Sequence, residues 1–558
     1  MRRRERGAHQ RNQAQKGAKN SMKLTPRPQQ EHDIQRVLAE PTHSALIGSQ
    51  PGNGKTLLGT EIALRGPFER VLFIGLVGTF KQWAERIDAQ SDGEVTLRRI
   101  DSTKAGKQAF ADFLAGEPGF YFSGSQYLMR QDWESRPAFE DDGTPQWKRA
   151  KKDDPASGVV AGDLILRERK EGAIGPAAEP IRLTESVHLN TFRRKMKKPL
   201  DLLVFDEVQL ISNRKSNGFQ TFHSITTDWK VAMSGTWFGN SPANMWAVGD
   251  WLWDGKINPA TGKPWVETSF NRWQAQFIAL EPVLGKNKQP LKTPRGTPIT
   301  KVVGEKVPGA FAASLPCYIR RENEEQPPGP KVVYCDPTPQ QAAQIADLEE
   351  DLLTWVKGWD GEDMPLVVDL PPTLYIRLRQ VAIAELSYGA DGRVTFASNA
   401  ASAKLKPLRG LVDYWAGQQV GIFTDSKIGA QFVANRMRMA GYAAEAYTGD
   451  LSERERESLK ARFIAGEVRY LVGTIQSMGT GIDGLQTACS KVIWLNEVPG
   501  NPSANEQALA RYFRQGRTRE HGEFEHVKLL MRGSVDVQTM ETLIEKAWQM
   551  SASLRIAS

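Results

Sequence analysis

Apolar runs bounded by glycine and polar residues recur along the chain, and most of them lead into stretches with apolar residues at helical spacing. The first rises into Ala45-Leu46-Ile47, crosses SQPGNGKT at 49–56 and continues as LLGTEIAL, which predicts strand, tight loop and helix in that order. RVLFIGLVG predicts a core strand ending near Gly75, LLVFDEVQLI at 202–211 another, and VAMSG a third just before Thr236. Past residue 400 the same grammar returns in VGIFTDSKIGAQFVANRM (420–437), VRYLVGTIQSMGTGIDG (468–484) and SKVIWLNEV. Strands alternating with helices predict an α/β fold with parallel sheets in two lobes. Residues 339–357 and 374–387 read as helices protruding from the connection between them.

Composition changes this picture at one end only. A chain of 558 residues with 40% apolar and 25% charged residues has room for two or three domains with cores of their own. The formal charge of +8 lies mostly in the first 23 residues, which hold eight Lys/Arg against one Glu; that net of +7 leaves +1 for the remainder. This basic arm reads as an auxiliary contact for polyanions or as a solvated extension. WKRAKK (147–152) and FRRKMKK (192–198) flank an insertion and read as its positive rim or as a solvated loop. Cys317, Cys335 and Cys489 have no metal-ligand spacing, and no apolar run is long enough to span a bilayer, so an intracellular protein with no membrane partner is expected.

Candidate chemistry concentrates at the predicted strand ends. Gly52 and Gly54 between strand and helix let backbone N–H groups face a polyphosphate, Lys55 reaches its outer phosphates, and the Thr56 hydroxyl is placed to ligate Mg2+. Ser49 stands where the usual phosphate-loop pattern begins with glycine. Asp206, at the end of its strand, is the second metal candidate, and Glu207 is the base that orients and deprotonates the attacking water. Ser234 and Thr236 are short hydroxyls suited to passing a change at the γ-phosphate to a neighbouring lobe. Gln30 is the adenine-reading candidate, with Gln29 as its alternative. In NEQALARYFRQGR, Arg511, Arg514 and Arg517 recur every third residue and need an anion, which the γ-phosphate supplies.

The ordered motifs resemble helicase superfamily two, most closely its Swi/Snf-type double-stranded DNA translocases. LTPRPQQ, GSQPGNGKT, FKQWAERI, SGSQYL, DEVQ and SGTWFGN resemble the segments of the first lobe, and SAKLKPLRGLV, YTGDLSERERESLKARF and GTGIDG through RYFRQGR those of the second. The resemblance implies two RecA-like lobes, with ATP and Mg2+ as cofactors. It gives Gly481, Asp483 and Gln507 places at the nucleotide, Gln209 a coupling role in the histidine's usual position, and Arg514 the arginine-finger role, with Arg511 and Arg517 as competing partners. Gln82, Ser125, Lys404, Thr474 and Ser477 fall at nucleic-acid track positions. The implied division is a basic arm at 1–23, a first lobe at 24–249 with an insertion at about 131–200, a helical protrusion and interlobe bridge at 250–400, a second lobe at 401–535 and a C-terminal brace helix at 536–558. The implied activity is ATP-driven movement of a monomeric motor on double-stranded DNA, remodelling the DNA or protein bound to it. A strand-separating or fork-regressing helicase acting on forked DNA, and a non-catalytic DNA-binding scaffold, are the alternatives. The tryptophans from 237 to 273 read as a hydrophobic brace or as base-stacking groups.

Overall fold

The computed structural model describes residues 23–137, 146, 166–168, 178–180, 184–285, 287–293, 296–368, 371–479, 482–514, 516–517 and 522–554. The first 22 residues of the basic arm, the 147–152 cluster and most of the insertion lie outside them.

Two parallel sheets organise the chain, as two RecA-like lobes require. The first contains β1 (Ser44–Ile47), β2 (Arg70–Gly75), β3 (Leu97–Ile100), β4 (Gly119–Gly124), β5 (Leu200–Asp206), β6 (Thr227–Met233) and β7 (Tyr318–Ile319), in the order β7-β1-β6-β5-β2-β4-β3. The second contains β8 (Lys331–Cys335), β9 (Val420–Thr424), β10 (Ala444–Tyr447), β11 (Tyr470–Thr474), β12 (Lys491–Trp494) and β13 (Glu525–Met531), in the order β8-β13-β12-β9-β11-β10. Strands covered on both faces should be apolar throughout, with alternate residues entering different cores. In the first lobe Leu72, Ile74, Leu203 and Phe205 enter one buried cluster, while Val71, Phe73, Leu202 and Val204 enter another on the opposite face.

Register aligns the ends that matter. Ile47 is level with Met233, and Met233 with Asp206, so the stretch after β1, the segment after β6 and the acidic pair after β5 leave the sheet at one edge. Neighbouring strands are about 4.8 Å apart, which sets the phosphate loop about 10 Å from the carboxylates. On the other side of β1, Ile319 is level with Ile47, so the connection to the second lobe starts at the same edge.

The tryptophans form a brace. Trp237, Trp251, Trp253 and Trp273 are fully buried in one cluster with Phe311 and Tyr318, two of them carried by the helix Met245–Trp253. The last described helix, Val535–Leu554, spans both lobes: Val535 enters a second-lobe cluster, while Met550 and Leu554 enter a first-lobe cluster.

The region between the lobes departs from the helices expected at 339–357 and 374–387. Thr338 caps a helix over Pro339–Glu350, but Leu352 takes a left-handed conformation (φ 57°), and the β-branched and aromatic residues beyond it form the strand Leu353–Lys357. The second helix runs Pro371–Val381, and Ser387–Tyr388 is again a strand. These strands, with Asp363–Val367 and Val394–Thr395, make a four-stranded sheet. Among the described residues no helix is long and apolar enough to cross a membrane.

Candidate nucleotide site between the lobes

The loop after β1 ends on Gly54, whose φ of +75° is costly for any residue with a Cβ, and the helix Lys55–Arg65 follows directly. A Cβ on Gly54 would also stand 2.5 Å from Gln30 Nε2. Gly54 provides no side-chain cap, so the first N–H groups of this helix are left for whatever enters the cleft. Gln30 buttresses the loop: its amide donates to the Asn53 carbonyl (3.1 Å) and accepts from the Arg27 N–H (3.0 Å). Lys55 Nζ donates to the carbonyls of Ser49 (2.8 Å) and Gln50 (3.3 Å). Burial pulls this ammonium below its ordinary pKa range, against the opposing charges of Glu207 and Asp206.

Across the edge, burial pushes the Asp206 carboxyl up to about 7, and the neighbouring charge of Glu207 adds to that rise while Lys55 opposes it. The Trp83 indole hydrogen-bonds Asp206. Glu207 is itself left-handed (φ 60°), and Gln209 donates to its carboxylate at 2.6 Å. Gln507, from the helix Pro502–Leu509 of the other lobe, donates to the same Oε2 at 3.2 Å. Ser234 Oγ accepts from the Thr236 N–H (3.0 Å), and the Thr236 hydroxyl bonds that of Ser503, again across the lobes.

A cavity of about 480 Å³ separates these groups, lined by Lys55, Thr56, Asp206 and Glu207 on one side and Gln507, Arg511 and Arg514 on the other. Arg514 pairs with Asp483, and a Cβ on Gly52 would stand 3.9 Å from Arg514 Cβ, so this arginine overhangs the phosphate loop. Arg511 donates twice to the Gly479 carbonyl (2.7 and 3.1 Å), and burial lowers its pKa, with Arg514 adding to the effect. Arg517 points elsewhere: it pairs with Glu325 at 2.8 Å and lies 4.8 Å over the Phe513 ring.

The track positions separate. Gln82 is exposed and lines the same cavity. Ser125 is buried at the end of β4, and Thr474 donates to Ser477 (2.7 Å) at the end of β11. Lys404 corrects the expectation of a nucleic-acid contact. It is 1% exposed, and its ammonium bonds the Leu495 carbonyl and pairs with Asp536 at 2.5 Å, so it holds the Val535–Leu554 helix and has no charge to offer a phosphate. Gly481 lies outside the described residues.

Sequence reading missed the clasp on the phosphate loop. After β7 the chain lies against it: Gln50 N–H donates to the Arg321 carbonyl (2.9 Å), Asn53 Nδ2 to Asn323 Oδ1 (2.7 Å), and Asn323 Nδ2 to the Pro51 carbonyl (3.1 Å). Ser49 belongs to this clasp, its hydroxyl accepting the Arg321 N–H at 3.1 Å while the residue is fully buried. The departure from glycine thus supplies a tie to the interlobe connection. The signal was Ser49 itself, although Asn53 and Asn323 fit no spacing that would have joined them.

Residues 403–516 match the helicase conserved C-terminal domain. Over 152 residues the chain is 26% identical to the DEAD-box ATP-dependent RNA helicase CshA of Geobacillus kaustophilus, a match that covers 25% of this chain and 32% of that protein. The Sulfolobus solfataricus SWI2/SNF2 ATPase core in complex with dsDNA is similar over 96% of this chain and 94% of its own, at 15% identity and a TM-score of 0.34. The second lobe thus matches a helicase conserved C-terminal domain, and its parallel sheet stands across one cleft from the parallel sheet of the first lobe.

Proposed function

We propose that this chain is an ATPase that moves on double-stranded DNA and remodels the DNA or the protein bound to it. One observation carries the ATPase part: two lobes contribute to a single cavity, with the Lys55 ammonium and the carboxylates of Asp206 and Glu207 on one side and Gln507 with the guanidinium groups of Arg511 and Arg514 on the other. The uncapped helix N-terminus and Lys55 hold the phosphates, and Glu207 takes the proton of the attacking water. Arg514 stabilises the charge that develops as the terminal phosphoryl group leaves, with Arg511 beside it. The donor set fits Mg2+: Thr56 and Asp206 offer oxygen ligands, and an Asp206 carboxyl raised by burial and by Glu207 is one that a cation would hold ionised. When bound, the ion neutralises phosphate charge.

Because half of the site lies in each lobe, a track that closes the cleft raises turnover, and alternating grip on the two lobes gives movement. The preference for duplex DNA rests on the Swi/Snf-type order of motifs. A second reading, an RNA-dependent enzyme, is favoured by the relative's being an RNA helicase. ATP turnover measured with duplex DNA, single-stranded DNA and RNA at matched salt separates them. The largest stimulation is expected with duplex DNA. Strongest stimulation by RNA would assign the second reading, and no turnover with any of the three would leave a scaffold.

A further inference from the structure

The hairpin of Leu353–Lys357 and Asp363–Val367 lies outside both parallel sheets. Leu353 faces Val367 and Trp355 faces Pro365, so these four share one face of it. Trp355 is 58% exposed, Val367 53% and Trp359, at the tip, 71%. Two tryptophans this open within five residues make an apolar patch of the kind that marks a contact surface. Its rim is acidic. Glu349, Glu350 and Asp351 end the preceding helix and Asp360, Glu362 and Asp363 follow the tip, all exposed, with Lys357 the single basic residue between 349 and 363 and already paired with Asp363 at 2.9 Å.

Such a rim repels phosphates, which argues against base stacking on these rings. It suits a guanidinium, which stacks on an indole face and binds a carboxylate through two N–H groups at once. This chain contains a segment with that chemistry. Residues 1–22 hold Arg2, Arg3, Arg4, Arg6 and Arg11 with Glu5 as their single carboxylate. Their anchor is fixed, since Leu24 N–H donates to Gln90 Oε1 at 2.7 Å. Twenty-two residues extend up to roughly 70 Å, about three times the radius of gyration of about 24 Å expected of a compact chain of this length.

We propose that the arginine-rich residues 1–22 dock on the Trp355/Trp359 hairpin of the same chain, guanidinium groups on the indoles and the acidic rim. The hairpin then competes with any polyanion for the arm and withholds it until one is bound.

Hydrogen exchange of residues 353–367 in the full chain and in a chain lacking residues 1–22, without nucleic acid or nucleotide, tests this independently of the proposed activity. Faster exchange is expected once the arm is removed. A fluorescein-labelled peptide of residues 1–22 added to the shortened chain should bind saturably. Its affinity should fall about tenfold with Trp359→Ala, and again with Glu350→Gln, Asp360→Asn and Glu362→Gln combined, tenfold being roughly 1.4 kcal/mol. A peptide with lysine for every arginine should bind more weakly than the native one. Equal exchange in the two chains, or peptide binding indifferent to both sets of substitutions, overturns the docking. Protection that grows with protein concentration also overturns it, by placing the arm on a second copy.

Discussion

Glu207 occupies a backbone region that costs a residue with a Cβ roughly 1–2 kcal/mol, and its carboxylate is held from both lobes, by Gln209 and Gln507. Strain maintained by two partners marks a side chain whose aim matters more than its local stability. Glu207→Gln keeps the shape and removes the proposed base. Turnover should fall by about 10²–10⁴-fold while ATP still binds, as measured by steady-state hydrolysis beside nucleotide titration; turnover near the starting level would remove the base role. Asp206 leads to a prediction about pH. Its folded pKa is raised, so between the ordinary aspartate range and about 7 the folded state binds more protons than the unfolded one, and stability is lost as pH rises through that window. Asp206→Asn cannot ionise. In the absence of nucleotide, its thermal midpoint should drop less than that of the unaltered chain between about pH 5 and about pH 8, even as hydrolysis is lost. Parallel drops would show that the carboxyl bears no such cost.

At the scale of elements, sequence and structure agree where a pattern is local and diverge where contacts are not. β1, the loop and the helix after it follow from an apolar run buried on both faces and two glycines, and the acidic pair falls where a buried strand must end. Lys404 shows the limit: its motif was legible, but Asp536 lies 132 residues away, and only folding brings the two together. The strand Leu353–Lys357 was hidden for a different reason. A capped helix runs into it, and Leu352, which breaks the helix, has no intrinsic preference for the left-handed conformation that it adopts. The clasp after β7 was illegible altogether, being built from amides of no fixed spacing. Its consequence is measurable. Asn323 joins Asn53, Gln50 and the Pro51 carbonyl, and Asn323→Ala releases the two hydrogen bonds made by its side chain while its backbone N–H still reaches Gln50 Oε1. At about 0.5–1.5 kcal/mol each, those two should weaken ATP binding by about tenfold with a smaller change in maximal turnover. A loss confined to turnover would place Asn323 outside the loop's support.

For the whole molecule, the proposed function assigns the link between nucleotide and track to two contacts that cross between the lobes at the edge of the cleft. The helix Val535–Leu554 ties the lobes from behind, so relative motion is expressed mainly at the front, where Thr236 meets Ser503 and Gln507 meets Glu207. Ser234, in turn, holds the Thr236 backbone, and Met233 before it is level with Asp206. A shift at the carboxylates therefore has a short, buried path to the second lobe through one hydroxyl pair. Ser503→Ala removes the second-lobe partner with almost no change in volume and leaves every group that touches the phosphates in place. Losing a single interlobe hydrogen bond of about 0.5–1.5 kcal/mol should lower nucleic-acid-stimulated turnover by about two- to tenfold. Nucleotide affinity and turnover without nucleic acid should be nearly unchanged, because neither depends on the lobes being brought together by a track. Turnover over a nucleic-acid titration, set beside nucleotide binding, decides the point. Equal loss with and without nucleic acid would make Ser503 a structural support of the cleft, and no loss in either would move the coupling to Gln507.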